Sequence, residues 1–193
     1  MMPSSPSAKR QHVVDTAYAL FKRDGFHATG IDRIIAEADI AKMTMYRHFP
    51  AKDDLIVAVL EHRAARFERQ LDRLAASADT AEAKIFTILD WHERWFRDPD
   101  FHGCLFAHAL AEFGDPDHPV FKAASRQKKG LRARLRAILE EEMPSERAEG
   151  VATALLMMIE GATLMAQMGE ADAAIANARK AASAILAGAR VPQ

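Results

Sequence analysis

Lys42, Met43, Thr44, Arg47 and His48 crowd one short segment, and their side chains suit the chemistry of reading double-stranded DNA. The two long cations reach phosphates or the acceptors of guanine, the hydroxyl suits a phosphate or a base edge, and the thioether suits a thymine methyl. Ala41, Met45 and Phe49 recur at i, i+4 and i+8, so a helix here is expected to turn these three inward and the five polar or exposed positions outward. Pro50 stops that helix. Ahead of it, Ile31, Ile34, Ile35 and Ala38 give a second short helix, and Asp39-Ile40-Ala41 forms a tight turn between the two. Two short helices joined this way make a helix-turn-helix, whose second helix enters the major groove.

The charge distribution agrees. From Lys9 to Lys52 eight basic residues face five acidic ones, while the whole chain of 193 residues carries a net charge of −1. The positive excess therefore lies at the N-terminal end, where a polyanion would be held. A second basic run, Arg126, Lys128, Lys129, Arg132, Arg134 and Arg136, is interleaved with Leu131, Leu135, Ile138 and Leu139 at helical spacing and is followed by Glu140–Glu142; it reads as the solvated face of an amphipathic helix. The Lys9-Arg10 pair reads as a solvated start, with a flexible basic arm as the alternative.

Enzymatic chemistry finds little support. His92, His102, His108 and His118 have no i, i+4 partner, no H-E-x-x-H surrounds them, and the single cysteine, Cys104, excludes multi-cysteine zinc sites and intrachain disulfides. Glycine-rich phosphate loops and nucleophile-elbow motifs are missing from the sequence. No catalytic residue, metal or cofactor is expected. Cys104 reads as a small buried hydrophobe, and its solitude fits a reducing, cytoplasmic setting. Residues 1–8 read as a loose tail without the apolar stretch of a signal peptide. Val151 to Met168 is long and apolar, but Glu160 and Gln167 interrupt it, and a buried helix is expected rather than a membrane span.

These groups need a scaffold, and the composition says which kind. Thirty-eight alanines lie among Leu, Met, Glu, Lys and Arg, the strong helix formers, and no alternating strand pattern is present. The expected fold is all-α, with about nine helices: Lys9 to Arg23, closed by Gly25; the two short helices; Lys52 to about Ala76; Ala81 to Arg97; Gly103 to Phe113; Asp117 to Met143; Ser145 to Met168; and Ala171 to Ala187. Short helices before Lys52 and long ones after it place a helix-turn-helix domain at residues 8–51 and a helical body at 52–190.

Ala17, Leu20, Phe21, Gly25, Thr29-Gly30-Ile31, Glu37-Ala38 and above all Lys42-Met43-Thr44-Met45-Tyr46-Arg47-His48-Phe49-Pro50-Ala51-Lys52 resemble the DNA-binding domain of the TetR family. The resemblance implies that Lys42, Met43 and Thr44 open the recognition helix, that Tyr46 and His48 hold the DNA backbone, that Arg47 meets a base or phosphate, and that Lys52 clamps a phosphate, as Thr29 does from an earlier turn. Two positions depart from the pattern. Asp39 stands where glycine is usual, at a cost of about 1 kcal/mol or less with the turn kept intact, and Ile35 stands where alanine is usual, which bears on how closely the two helices pack.

The same resemblance implies a body that encloses an apolar pocket for a small-molecule effector, for which Trp91, Trp95, Phe101, Leu105, His108, Met157 and Glu160 are the candidate lining, although aromatics and methionines at helical spacing equally suit a core. It also implies a homodimer through the last two helices, where Gly150, Ala154, Gly161 and Ala162 permit close approach. Two recognition helices would then meet successive major grooves about 34 Å apart on a palindromic operator. The expected function is a ligand-responsive transcriptional regulator, a repressor released by its effector. The rival expectation is a helical small-molecule binding protein or enzyme whose N-terminal module no longer binds DNA, and a third is a helical interaction protein, which leaves Lys42, Thr44, Arg47 and Lys52 without an account.

Overall fold

The computed structural model describes residues 6–190. Among them are nine helices: α1 (Pro6–Asp24), α2 (Ile31–Glu37), α3 (Lys42–His48), α4 (Lys52–Ala75), α5 (Ala81–Phe96), α6 (Leu105–Glu112), α7 (Pro119–Leu139), α8 (Ser145–Gln167) and α9 (Ala171–Arg190). The described residues contain no strand. The expected tail at residues 1–8 lies outside the described residues as far as position 5, and Pro6 already begins α1. Lys9 and Arg10 thus belong to a helix rather than to a free arm, and the Arg10 guanidinium lies 4.9 Å from the Phe49 ring centroid.

Glycine, proline and side-chain caps set several of the helix ends. Gly25 adopts φ +85 after α1, and its N–H donates to the Phe21 carbonyl at 3.0 Å, the left-handed stop that a side chain would resist. Pro119 opens α7, where its missing N–H costs no hydrogen bond. Thr80 caps α5 by accepting the Ala83 N–H at 3.2 Å. Asp54 accepts the Ala51 N–H at 2.9 Å and so closes the first turn of α4.

Packing divides the chain into two compact units: the described residues up to Arg66 with Cys104–Arg126, and Phe67–Gly103 with the described residues from Gln127 onward. In the first unit, Val13, Ala17, Leu20 and Phe21 of α1 meet Ile34 of α2, Met45 of α3 and Leu55, Ile56 and Val59 of α4. Leu105, Phe106 and Ala109 of α6, Phe113 and Val120 complete this core. Phe26 sits between Phe21 and Phe113, with centroids at 5.1 and 5.9 Å. Full burial of each such large side chain contributes about 1.5–3 kcal/mol. A boundary at residue 51 follows helix length; packing draws it elsewhere, because the apolar stripe of α6 is buried with the short helices.

The second unit buries Ile85, Ile88 and Leu89 of α5, Leu131, Leu135 and Ile138 of α7, Leu155 and Ile159 of α8, and Ala174, Ala178 and Ala182 of α9. Among the described residues one helix, α8, is long and apolar enough to cross a membrane, and its Ala152, Leu155, Ile159, Thr163 and Ala166 lie in or against this core. The basic run of α7 is paired as a solvated face should be: Arg134 with Asp72, Arg136 with Glu140, and Arg132 with Glu149.

Candidate nucleic-acid interface

The outward face of α3 is built by its position between a tight turn and Pro50. Asp39 in the turn has φ +47, the left-handed conformation that aspartate tolerates better than most residues, and its N–H donates to the Ala36 carbonyl at 3.2 Å. The turn therefore survives without glycine. Ile35 is half-buried and lies against the first core, while Ile34 is fully buried. Ala41 departs from the inward stripe expected of it: it is exposed, because it is the N-cap of α3, and its carbonyl accepts the N–H groups of Thr44 and Met45 at 2.8 and 3.2 Å. Met45 and Phe49 are buried as expected.

Met43 is the most exposed large apolar side chain of this face, at 81%. With Thr44, Tyr46 and Arg47 it lines an open groove of about 370 Å³. Lys42 opens the helix, and its Nζ donates to Asp32 Oδ1 of α2 at 3.0 Å; this hydrogen bond holds the ammonium above its ordinary pKa. Lys52 begins α4 half-buried, and burial pulls its ammonium down against the opposing pull of Asp53 and Glu112. Lys42, Met43, Thr44, Tyr46 and Arg47 thus share one accessible surface of this unit.

His48 and Thr29 are placed otherwise. His48 is half-buried and its Nε2 is enclosed without a hydrogen-bond partner, because position 48 lies three residues after Met45 and leans toward the buried stripe. Thr29 is fully buried, and its hydroxyl donates to the Gly25 carbonyl at 2.7 Å. That bond ties the turn between α1 and α2 and leaves the hydroxyl turned away from solvent. Sequence patterns do not separate such a staple from a phosphate ligand, since both place threonine just before a helix.

Of the seven candidate effector residues, three come together in the second unit. Trp91 stacks on Trp95 at 5.3 Å between centroids and packs on Phe67 at 4.8 Å, and Phe101 meets Trp95 edge-on at 4.9 Å. At the centre of this cluster His92, which the sequence did not single out for binding, is buried; its Nδ1–H donates to the Ile88 carbonyl at 2.8 Å. Burial pushes its pKa down to about 4. Glu160 accepts Lys128 Nζ at 2.7 and 2.8 Å. Met157 instead points outward from α8, at 65% exposure. Leu105 and His108 belong to the first unit, where Leu105 fills the core. Gln127 is buried on the inward stripe of α7 with its Oε1 unpaired, a polar interruption between Ala124 and Leu131 that is visible in the sequence. Among the described residues no group of His, Cys, Asp and Glu could hold a metal ion.

A helix-turn-helix with an accessible, cation-bearing second helix, carried by an all-helical chain, defines a DNA-binding regulator. Comparison with known proteins agrees. Residues 13–59 match the family described as bacterial regulatory proteins, tetR family, and residues 81–181 match the C-terminal domain of LmrA/YxaF-like transcriptional regulators. The chain is 25% identical to the HTH-type transcriptional regulator YxaF of Bacillus subtilis, over 84% of this chain and 86% of that protein. It is 31% identical to the HTH-type transcriptional repressor KstR of Mycolicibacterium smegmatis, over 57% and 56%. The crystal structure of SCO4454, a TetR-family transcriptional regulator from Streptomyces coelicolor, superposes with a TM-score of 0.90 at 27% identity, covering 96% of this chain and 97% of that one. This chain belongs to the TetR family of transcriptional regulators, and so is a regulator rather than an enzyme.

Proposed function

We propose that the protein is a cytoplasmic, ligand-responsive repressor that binds a palindromic operator as a homodimer and leaves it when a small molecule binds the helical body. The observation that carries this reading is the exposed α3 face, where Met43, Thr44, Tyr46 and Arg47 line one groove beside Lys42. Arg47 offers a bidentate donor to guanine, Met43 an apolar contact for a thymine methyl, and Thr44 and Tyr46 hydroxyls for the backbone. Lys52 adds a phosphate contact at the start of α4. Thr29 contributes from within the module, through the turn it ties, and His48, whose Nε2 is enclosed, supports α3 from the core side rather than by touching DNA.

The repressor assignment follows relatives that carry that name, among them KstR and a repressor of Streptomyces coelicolor, SCO4008. The dimer assignment rests on α8 and the residue that caps it: Met157, Leu164 and the C-cap Met168 are exposed at 65, 60 and 68% and fall at helical spacing with the exposed Gly150 and Gly161. A stripe this apolar, lined by glycines, suits a second copy of the same surface. The effector is proposed to meet the second unit's Trp91, Trp95 and Phe101, with Glu160 as a polar contact. To move the operator-bound fraction from about 99:1 to about 1:99, it must favour the free form by about 5.5 kcal/mol.

The test is selection of genomic fragments by the purified protein, followed by titration of the selected fragment at fixed salt. A palindromic fragment bound far more tightly than random DNA is expected, and Arg47→Ala weakens it by about 1–3 kcal/mol. Salt-sensitive binding with no sequence preference would overturn the reading.

A further inference from the structure

The exposed face of α3 carries two columns of side chains, each spaced by one turn: Lys42 with Tyr46, and Met43 with Arg47. Residues four apart on a helix stand about 5–6 Å from each other at Cβ, so each column acts as a pair. The first column is tied to the protein, because Lys42 Nζ donates to Asp32 Oδ1 at 3.0 Å. Other cations of the module are engaged too: Arg33 pairs with Asp24 at 3.0 Å, and the Arg10 guanidinium lies over the Phe49 ring. The second column is free. Arg47 is exposed and makes no hydrogen bond or ion pair among the described residues, and Met43, 81% exposed, belongs to neither core.

Both side chains line the same open groove. A guanidinium with all its donors available, one turn after a bare thioether, has a specific complement in the major groove. Guanine offers O6 and N7 to a forked donor, and the apolar group that a base edge can offer there is a pyrimidine C5-methyl. The pyrimidine on the 5′ side of a guanine lies about 3.4 Å along the same strand, which sets its C5 position beside the guanine N7 edge. The unbranched, adaptable methionine side chain makes up the difference between that base step and the spacing of the column. Lys42 and Thr44 have no such selectivity, since an ammonium and a hydroxyl suit a phosphate or several base edges.

We infer that Met43 and Arg47 together read one step of each operator half-site, a C5-methylated pyrimidine followed by guanine, with Arg47 forked onto the guanine and Met43 packed on the methyl. This rests on the reading of the protein as an operator-binding regulator. Thymine and 5-methylcytosine carry the same methyl group at the same place. The column therefore accepts TpG and methylated CpG and discriminates against unmethylated CpG, which makes binding sensitive to cytosine methylation wherever the step is a CpG.

The experiment uses the full chain and the palindrome selected as above, titrated at fixed salt with four versions of the pyrimidine at that step in both half-sites: thymine, uracil, cytosine and 5-methylcytosine. Uracil differs from thymine, and cytosine from 5-methylcytosine, by the methyl alone. Removing it is expected to weaken binding about fourfold for each buried methyl, and so about fifteenfold for a duplex altered in both halves. Met43→Ala is expected to bind thymine and uracil duplexes equally, while Met43→Leu keeps the preference; an 81% exposed side chain can be replaced without disturbing either core. Replacing the guanine by 7-deazaguanine, which lacks N7, is expected to weaken the unaltered protein and to leave Arg47→Ala unchanged. A selected half-site without such a step, equal affinity across either methyl pair, or a methyl preference that survives Met43→Ala would overturn the inference and leave the regulator reading intact. Failure to select any fragment would overturn the regulator reading and this inference with it.

Discussion

Lys42 Nζ and Asp32 Oδ1 lie 3.0 Å apart, so the first residue of the recognition helix is held by a carboxylate from the first turn of the helix before it. Both side chains are exposed, and such a pair contributes little to stability. Its proposed effect is on DNA binding. Asp32 both occupies the ammonium and places a negative charge near the phosphates. Asp32→Asn is expected to tighten DNA binding at low salt and to steepen the slope of log K against log salt by about 0.9, the value of one added phosphate contact. Fluorescence anisotropy across a salt series measures both quantities.

Asp39 occupies the left-handed region at φ +47. Alanine there keeps a Cβ but loses the short polar side chain that tolerates this conformation, so Asp39→Ala is expected to cost about 1 kcal/mol. Glycine removes the Cβ and adds freedom to the unfolded chain, and these effects offset to within about 0.5 kcal/mol. Urea unfolding of the two variants should therefore separate them clearly.

His92 gives the fold a dependence on acid. Its pKa in the folded protein is about 4 because burial penalises the imidazolium, against an ordinary value of 6.5. The unfolded chain takes up the proton first as the pH falls, so stability is full above about 6.5 and is lost progressively as the pH drops toward about 4, by about 3 kcal/mol in total. His92→Gln can keep a donor toward the Ile88 carbonyl and has no proton to gain. Chemical denaturation at a series of pH values should show this variant losing less stability across that window than the parent.

Leu164 is exposed at 60% on the same face of α8 as Met157 and Met168. Leu164→Glu places a charge where a second copy is proposed to dock, and two such charges face each other across a two-fold axis. The variant is expected to sediment as a monomer with unchanged helicity and to lose operator affinity. Analytical ultracentrifugation decides it, and a dimer that persists would sink the proposed interface.

The helix-turn-helix was legible because its signals are local. Pro50 and the Asp39 turn bracket α3, which runs from Lys42 to His48 as the spacing predicts. Helix ends away from such punctuation were less so. The segment expected from Gly103 begins at Leu105, because Gly103 has φ +84, and the one expected from Asp117 to Met143 is confined to Pro119–Leu139. Glu112 was illegible for a different reason. Its partners are 85 and 86 residues away in sequence, and nothing in the types of Phe26 or His27 announces that their backbone N–H groups await a carboxylate. The burial of His92 was likewise hidden, since a histidine at helical spacing gives the same pattern whether its ring is enclosed by aromatics or wet.

The first core draws Leu105, Phe106, Ala109, Phe113 and Val120 in beside the short helices. A DNA-reading module cut from this chain after α4 begins would present that apolar seat to water and lose the carboxylate that closes the α1 turn. Grafting this specificity onto another regulator therefore requires two pieces of chain, with residues 104–126 travelling alongside the N-terminal segment.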